Sequence, residues 1–214
     1  MLYATLAEAK FFPKKELKTL RQFGSRLQGH PERGFLPGIE NTSGPLGSGL
    51  SQACGMALAM KMRAQRHRHV FCLMGDGEQN EGNIWEAVML ASKYKLSNLI
   101  AIIDRNNIQI DGPTEKVMPL DSLTLKYQAF GWHVIEIDGH NITDIIDACN
   151  LAKNIVERPV VIIAHTIAGK GVDFIEYDYR WHGYDPVSNN SKQDYNRALA
   201  ELRTLRGKIR SEHE

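Results

Sequence analysis

The sequence predicts an α/β fold in which a parallel β-sheet is covered by helices on both faces. Short apolar segments recur through the middle of the chain, they lack the polar alternation of a half-exposed strand, and amphipathic segments with helical spacing separate them. Such an alternation favours parallel strands joined by helices. The length of 214 residues fits one domain, residues 1–214, with a sizeable core.

The predicted elements follow in chain order. A helix over 14–27 precedes a loop over 29–50, which is too rich in glycine, proline, serine and asparagine for a helix or strand. Beyond it the sequence predicts a helix over 51–66, a strand over 70–74, a helix over 81–94, strands over 99–103 and 132–137, a helix over 143–157 and a strand over 160–164. An amphipathic tail over 193–210 predicts a last helix, which packs on its own domain or offers a docking surface to a partner.

Composition and charge exclude several classes of protein. A formal net charge of +1 gives no reason to expect a nucleic acid or an anionic membrane as a partner. No apolar run reaches the roughly 20 residues that span a bilayer, and the N-terminus lacks the pattern of a signal peptide. The three cysteines, Cys54, Cys72 and Cys149, are scattered and odd in number. They indicate reduced thiols, and we expect a cytoplasmic protein.

The stretch HVFCLMGDGEQNEGN, residues 69–83, gives the first sign of a binding site. Asp-Gly often marks a hairpin turn, but here an apolar strand precedes Asp76 and a predicted helix follows it. Asp76 therefore opens a strand-to-helix turn at the carboxyl end of a buried strand. Open parallel sheets bind their ligands at this edge.

A second polar residue follows Asp76 one strand–helix–strand unit later and is expected at the same end of the sheet. Asn106 lies thirty positions beyond Asp76, after the next apolar strand. If the two strands are neighbours, a carboxylate and an amide oxygen lie side by side, and this donor set suits Mg²⁺ completed by phosphate and water. Gly75 and Gly77 would let a diphosphate approach the backbone, and the following helix would direct its N-terminal amides at that anion.

Seven motifs extend this pattern over nearly the whole chain. They are GHPE (29–32), NTSGPLGSGLS (41–51), GDGEQNEG (75–82), DRNNIQIDG (104–112), YQAFGWHVIEIDGHN (127–141), TIAGKGV (166–172) and WHG (181–183). The GDG and NN motifs resemble the cofactor motif of the thiamine diphosphate enzymes. The full set, in this order, resembles the N-terminal, diphosphate-binding part of transketolase, most closely the type that is split into two chains.

The resemblance implies a Mg²⁺ and diphosphate site. Asp76 and Asn106 would bind the metal through their side chains, and Ile108 would bind it through its backbone carbonyl. Gly77 and Asn106 would contact the diphosphate of the cofactor.

Further residues would surround the rest of the cofactor and the substrate. Gly44 and Leu46 would contact the aminopyrimidine and thiazolium region. Glu81 would lie where subunits meet, near the glutamate with which the partner activates the cofactor. His30 and His182 would face the reacting sugar, and His182 would also lie near the diphosphate.

Some of these residues also have a purely structural explanation. Glu78 and Glu81 suit a first helical turn because of the helix dipole alone. We expect His133 and His140 to be structural. The segment 169–171, Gly-Lys-Gly, forms either an anion-binding nest of backbone amides or a plain turn.

The implied activity is the transfer of a two-carbon ketol unit from a ketose phosphate to an aldose phosphate, as in the pentose phosphate pathway. Thiamine diphosphate is the electron sink for cleavage of the carbon–carbon bond. His30 and His182 would move protons at the sugar hydroxyls, because imidazole titrates near pH 7. The pyrimidine-binding domain with the activating glutamate is absent, so the resemblance implies a second chain as partner, self-association into a heterotetramer, and no activity of this chain alone.

The sequence departs from the family pattern at two places. An opening segment with a Ser-Lys-Gly-His motif and a further histidine would precede the residues that match Leu2-Tyr3-Ala4, whereas this sequence starts at Met1. We therefore expect a fragment or a shortened start, and a sheet that lacks a covering element. Tyr184 stands where many relatives carry lysine, which weakens the case for sugar-hydroxyl or phosphate contacts there.

Two alternatives to a split transketolase remain open. One is another thiamine diphosphate enzyme, either a deoxyxylulose-phosphate synthase or the alpha subunit of a 2-oxo acid dehydrogenase, although GHPE, SGPLG and WHG fit transketolase better. The other is a non-catalytic fragment that keeps the fold. Intact Asp76 and Asn106 count against this second alternative.

Overall fold

The computed structural model describes residues 1–65, 67–184 and 191–204. The chain forms two compact units, Met1–Leu46 and a larger unit that begins at Gly47. The assignment of residues 1–214 to a single domain stays a prediction. No helix in the described ranges is both long and apolar enough to cross a membrane.

Seven α-helices and six strands are described in these ranges. The helices are α1 (Leu2–Glu8), α2 (Ser48–Met62), α3 (Gly82–Lys93), α4 (Thr114–Val117), α5 (Leu123–Ala129), α6 (Ile142–Asn154) and α7 (Lys192–Thr204). The strands are β1 (Val70–Gly75), β2 (Leu99–Arg105), β3 (Ile108–Gln109), β4 (Gly112–Pro113), β5 (His133–Asp138) and β6 (Val160–His165). The elements predicted from residue 51 to residue 164 are all present, with ends that differ by a few residues.

The smaller unit contradicts the prediction of a helix over 14–27. A 3₁₀ helix covers only Lys14–Thr19, because Arg21 and Gly24 adopt left-handed conformations with φ of 60° and 77°. The chain then turns back, and the Arg21 N–H donates to the Leu27 carbonyl at 2.8 Å. Phe23 projects into solvent, whereas Leu27 is fully buried. A small apolar cluster stabilises this unit and contains Leu6, Ala7, Phe12, Leu27, Leu36 and Ile39.

The larger unit is built on a four-stranded parallel sheet with the order β1-β2-β6-β5. Helices lie on both faces, as predicted. On one face α2, α3 and α5 enclose the main core with the side chains of Cys72, Met74, Ala101, Ile103, Val161 and Ile163. On the other face α6 packs on β5 and β6 through a second cluster of Ile100, Ala148, Ala152, Val160 and Ile162. The predicted fold class is therefore confirmed.

Strand β1 differs from the sequence prediction, which had it buried on both faces. The side chains of Phe71 and Leu73 are 45% and 70% exposed, although Cys72 and Met74 between and after them are buried. The reason is position: β1 is an edge strand, and α6 covers the strands at the opposite side of that face. An apolar run does not reveal whether a strand is central or at an edge.

Helix α7 confirms the predicted tail helix over its described part, and residues 205–210 of that prediction lie outside the described residues. Glu201 of α7 accepts a hydrogen bond from the Asp173 N–H at 2.8 Å, and the Arg197 guanidinium lies 4.2 Å from the centre of the Phe174 ring. The helix thus packs on a neighbouring segment of its own unit.

Candidate functional site

The carboxyl ends of β1 and β2 bring the two predicted metal-binding residues to the same edge of the sheet. Gly75 pairs with Asp104 in the parallel register, and the Asp76 N–H donates to the Asp104 carbonyl at 3.2 Å. Asn106 follows two residues later, and the neighbouring Asn107 N–H donates to the Asp76 carboxylate at 2.8 Å. The prediction that β1 and β2 are neighbours is therefore confirmed.

The Asp76 carboxylate is buried, with 1% of the residue exposed. Its Oδ2 accepts hydrogen bonds from Asn107 N at 2.8 Å, Arg105 Nη1 at 3.0 Å and Thr114 Oγ1 at 3.4 Å. Its Oδ1 accepts one hydrogen bond among the described residues, from Gly77 N at 2.7 Å. A carboxylate oxygen offers two lone pairs, so Oδ1 keeps one for a further partner.

Asn106 is held by a local turn. Its Oδ1 accepts from the Ile108 N–H at 3.1 Å and its Nδ2 donates to Asp104 Oδ2 at 3.1 Å. The Thr166 hydroxyl, at the end of β6, donates to the other oxygen of Asp104. Asn107 adopts a left-handed conformation with φ of 63°, which asparagine tolerates better than most residues. These contacts fix the direction in which the Asn106 amide points.

The sequence did not reveal the ion pairs around Arg105. This buried residue contacts Asp76, Glu115 Oε1 at 2.6 Å and Asp121 Oδ1 at 3.2 Å. Burial acts to lower the pKa of Arg105, but its hydrogen bonds to Glu115 and Asp76 outweigh that effect and raise the pKa. Burial acts to raise the pKa of Glu115, and the hydrogen bonds from Arg105, Leu120 and Asp121 lower it instead. The only sequence signal was a charged residue at the end of an apolar strand.

The donor set at this edge fits Mg²⁺. The predicted ligands include one carboxylate, and Mg²⁺ commonly takes one or two carboxylates together with phosphate and water. No cluster of three or more His, Cys, Asp or Glu side chains suited to a metal occurs in the described part of the chain.

Two features beside Asp76 also fit an anionic group such as a diphosphate. A side chain at Gly75 would meet nothing within 4 Å, so the backbone there is open to close approach. Gln109 Nε2 is a buried donor without a hydrogen-bond partner among the described residues, and its side chain lies against Gly77. A buried unpaired donor costs free energy until it finds an acceptor.

A 3₁₀ turn separates the GDG motif from the helix. Asp76 caps this turn over Gly77–Asn80, and α3 begins at Gly82, one residue after its predicted start. Gln79 fixes this turn: its Nε2 donates to the Gly75 carbonyl at 3.0 Å and its Oε1 accepts from the Tyr127 hydroxyl at 2.7 Å. The Trp85 indole N–H donates to the Gln79 carbonyl at 3.0 Å.

Glu78 has a role that sequence reasoning missed. Its Oε1 accepts from Gly47 N at 2.8 Å and its Oε2 accepts from Gly75 N at 3.1 Å, so it joins the start of α2 to the end of β1. Glu81 is exposed at the N-cap of α3, and a Cβ at Gly47 would lie 2.8 Å from the Glu81 Cβ. The role of Glu81 at a subunit interface stays a prediction.

Three predicted site residues belong to the smaller unit. The Ser43 N–H donates to the Pro31 carbonyl at 3.1 Å, which joins the GHPE and SGPLG segments. His30 is exposed there and packs against Gly44, where a Cβ would lie 3.0 Å from the His30 ring. Leu46 is 59% exposed. The unit thus brings His30 and Gly44 together, and the roles of all three residues remain predictions.

His182 is exposed at the end of the 3₁₀ turn Tyr179–Trp181, which lies beside β4. Its closeness to the diphosphate and to the sugar stays a prediction, as does the role of the Ile108 carbonyl.

The segment 169–171 forms a plain turn. Its Lys170 and Gly171 amides donate to the Ile167 carbonyl and to Glu176 Oε1, at 3.2 Å and 2.9 Å. His140 accepts from the Ile167 N–H at 2.7 Å, in agreement with a structural role. It also lines a cavity of about 220 Å³ beside Asn107, together with Asp138, His165, Thr166, Ile167 and Tyr177.

Comparison with known proteins identifies the family of this chain. Residues 2–199 match the family described as "Transketolase, thiamine diphosphate binding domain". The chain is 42% identical over 212 residues to one subunit of the apulose-4-phosphate transketolase of Phocaeicola vulgatus, covering 99% of this chain and 73% of that protein. It is 45% identical to a 6-deoxy-6-sulfo-D-fructose transketolase subunit of a Clostridium species, covering 82% of this chain and 63% of that protein. Human transketolase is 40% identical over 90% of this chain, but the match spans only 30% of the human protein.

Solved structures give the same result. The fold superimposes on transketolase from Campylobacter jejuni with a TM-score of 0.71 and 32% sequence identity, covering 89% of this chain and 34% of that one. It superimposes on transketolase from Leishmania mexicana with a TM-score of 0.69 and 29% identity, covering 90% of this chain and 34% of that one. The resemblance seen in the sequence is confirmed, and the chain belongs to the transketolase family, of which it carries the thiamine diphosphate-binding domain.

Proposed function

We propose that this chain is the thiamine diphosphate- and Mg²⁺-binding subunit of a two-chain transketolase. Together with a pyrimidine-domain partner, it transfers a two-carbon ketol unit from a ketose phosphate to an aldose phosphate. The observation that carries this proposal is the pairing of Asp76 with the Asn106 turn at the carboxyl edge of a parallel sheet. Ligands bind at this edge in open α/β folds.

The residues of this chain bind and orient the reacting groups. Asp76 and Asn106 hold Mg²⁺ through their side chains and Ile108 through its carbonyl, and Gly77 and Asn106 contact the diphosphate. When bound, thiamine diphosphate supplies the carbon nucleophile and the electron sink for cleavage of the carbon–carbon bond. Because the cation offsets the charge of the diphosphate, the metal site would hold the cofactor by its diphosphate group.

The remaining predicted residues lie near the aminopyrimidine and thiazolium rings of the cofactor and near the sugar. Gly44 and Leu46 contact the ring system, and Glu81 lies at the interface with the partner. His30 and His182 accept and return protons at the sugar hydroxyls, which an imidazole does efficiently near neutral pH.

The names and lengths of the relatives support the need for a partner. Two of them are named as transketolase subunits, whereas human transketolase is more than three times as long as the segment that matches. We therefore expect a pyrimidine-domain chain to complete the active site, and we expect the pair to associate further into a heterotetramer in the cytoplasm. The two subunit relatives are named for different sugars, apulose 4-phosphate and 6-deoxy-6-sulfo-D-fructose, and share the transketolase reaction class.

Reconstitution tests the proposal. The chain is mixed with a pyrimidine-domain transketolase subunit, with Mg²⁺, thiamine diphosphate, xylulose 5-phosphate and ribose 5-phosphate. We expect sedoheptulose 7-phosphate from the complex and none from this chain alone. A folded complex that binds the cofactor but forms no ketol-transfer product with any ketose would contradict the proposal.

A variant at Asp76 tests the metal site separately. Asp76→Asn keeps the shape of the side chain but removes its charge, and we expect it to abolish Mg²⁺-dependent cofactor binding, measured by calorimetry. Asp147→Asn removes a carboxylate from the exposed surface of α6 and is the control. Unchanged cofactor affinity in a folded Asp76→Asn complex would leave Asp76 as a turn residue.

The alternatives considered from the sequence lose support. The matching family, the relatives and the solved structures described above are all transketolases, rather than deoxyxylulose-phosphate synthases or 2-oxo acid dehydrogenases. The lone pair that the buried Asp76 carboxylate keeps at the carboxyl ends of the strands counts against a non-catalytic fragment.

A further inference from the structure

Arg105 is a charged residue in an apolar setting. It ends β2, a strand whose preceding residues Ala101 and Ile103 are fully buried, and only 6% of its side chain is exposed. Burying a guanidinium is costly unless each donor finds a partner. The chain bears this cost directly beside the predicted metal site, and the proposed function gives Arg105 no role.

One end of the guanidinium holds Asp76. Arg105 Nη1 donates to Asp76 Oδ2 at 3.0 Å, and the Asn107 N–H and the Thr114 hydroxyl donate to the same oxygen. These three donors occupy Oδ2, whereas Oδ1 accepts only from Gly77 N within the described structure. The carboxylate is thereby turned so that a single oxygen keeps a lone pair for a cation.

The other end of the guanidinium holds the segment after the Asn106 turn. Arg105 Nη2 donates to Glu115 at 2.6 Å and to Asp121 at 3.2 Å. Glu115 in turn accepts from the Leu120 N–H at 3.1 Å, so it closes the loop between α4 and α5. Arg105 therefore links β1, β2 and the segment 114–121 through one planar group.

We propose that Arg105 is a positioning residue for the metal site: it orients the Asp76 carboxylate for binding by Oδ1 alone and ties that orientation to the loop at Glu115. This inference rests on the proposed function, because the cation is Mg²⁺. Lysine could not replace it, since a single ammonium group lacks the planar fork that reaches two carboxylates at once.

Removal of Arg105 has two opposing effects on the affinity of the site for a cation. Loss of a positive charge next to Asp76 would strengthen the attraction for a cation, whereas loss of orientation would weaken binding. Residues that orient a metal ligand typically change metal affinity by about 10- to 100-fold when they are replaced. We expect the loss of orientation to dominate, because Asp76 Oδ2 and Glu115 would both lose a charged partner.

The test measures Mn²⁺ as a probe for the Mg²⁺ site, by electron paramagnetic resonance in the presence of thiamine diphosphate, on the full chain assembled with its pyrimidine-domain partner. Arg105→Met removes the charge and Arg105→Lys keeps it. Arg158→Met is the control, because Arg158 is half exposed and precedes the amino end of β6, whereas Asp76 follows the carboxyl end of β1 in the same parallel sheet. Folding is checked by circular dichroism and urea unfolding.

We expect Arg105→Met to weaken Mn²⁺ binding about 10- to 100-fold, Arg105→Lys to weaken it severalfold, and Arg158→Met to leave it unchanged. If Arg105→Met does not fold, the Mn²⁺ affinity of Arg105→Lys tests the positioning role. Wild-type affinity in a folded Arg105→Lys variant, or tighter binding by Arg105→Met, would overturn the positioning role and leave Arg105 as a structural ion pair. A wild-type complex that binds no Mn²⁺ would instead refute the proposed function, and this inference with it.

Discussion

The hydrogen bond between Tyr127 and Gln79 allows a quantitative prediction about the turn that carries Asp76. Both residues are fully buried, and the Tyr127 hydroxyl donates to Gln79 Oε1 at 2.7 Å. Burial raises the pKa of Tyr127, so the hydroxyl remains a donor under all ordinary conditions. In Tyr127→Phe the ring is kept, but the amide oxygen of Gln79 loses this partner in a dry environment.

The expected cost follows from that unpaired oxygen. A buried acceptor left unsatisfied costs about 1–3 kcal/mol, and we expect Tyr127→Phe to lower the free energy of unfolding by about 2 kcal/mol. For a chain of this size, a loss of about 2 kcal/mol lowers the Tm by about 4–8 °C. Urea unfolding and calorimetry measure the two quantities.

Two further variants make the reasoning refutable. Tyr94→Phe removes a hydroxyl from a ring that is 40% exposed, and its effect should remain within about 0.5 kcal/mol. In Tyr127→Phe combined with Gln79→Leu, both partners are apolar, so the double variant should be less destabilised than the sum of the single ones. Additive effects, or a loss in Tyr127→Phe no greater than in Tyr94→Phe, would show that the hydrogen bond does not stabilise the turn.

Two other outcomes are expected from the larger unit. Burial raises the pKa of Cys54 to about 11 and that of Cys72 to about 12. Iodoacetamide at pH 8 should therefore modify only the partly exposed Cys149 in the native chain, and all three thiols after denaturation. Equal labelling of native Cys72 and Cys149 in a mass spectrum would contradict this. Gly47→Ala should destabilise the chain by about 2 kcal/mol, because the φ of Gly47 is 78° and the new Cβ would lie 2.8 Å from the Cβ of Glu81, the N-cap of α3. Gly55 lies in the middle of α2, and a Cβ there would meet nothing within 4 Å. Gly55→Ala should therefore stabilise the chain by about 0.5–1 kcal/mol, and urea unfolding measures both variants.

The elements that the sequence predicted best are those with long periodic patterns. Strands β2 and β6 and helix α6 lie close to their predicted ranges, because their apolar spacing reflects burial that the structure confirms. The helix over 14–27 failed because periodicity does not detect a left-handed residue such as Arg21, which ends a helix without glycine or proline. The Arg21 N–H instead donates to the Leu27 carbonyl of the returning chain, a contact that apolar periodicity does not register.

The site was predictable only in part. The adjacency of Asp76 and Asn106 followed from the length of one strand–helix–strand unit and from parallel topology. The partners of Asp76 did not follow, because Thr114 reaches it only after the chain has folded back, and Arg105 was visible only as a charged residue at the end of an apolar strand. Glu78 looked like an ordinary helix-start residue until its bonds to Gly47 and Gly75 were seen.

The open face of β1 has a practical consequence for work with the isolated protein. An edge strand presents unpaired backbone groups, and Phe71 and Leu73 add exposed apolar surface to them. Such an edge is a template on which other chains can add strands, so colloidal stability should limit the concentration at which this chain is handled. We expect the apparent mass from light scattering to rise with protein concentration and Leu73→Lys to suppress that rise. The urea midpoint should not fall in Leu73→Lys, since a leucine that is 70% exposed contributes little to the core.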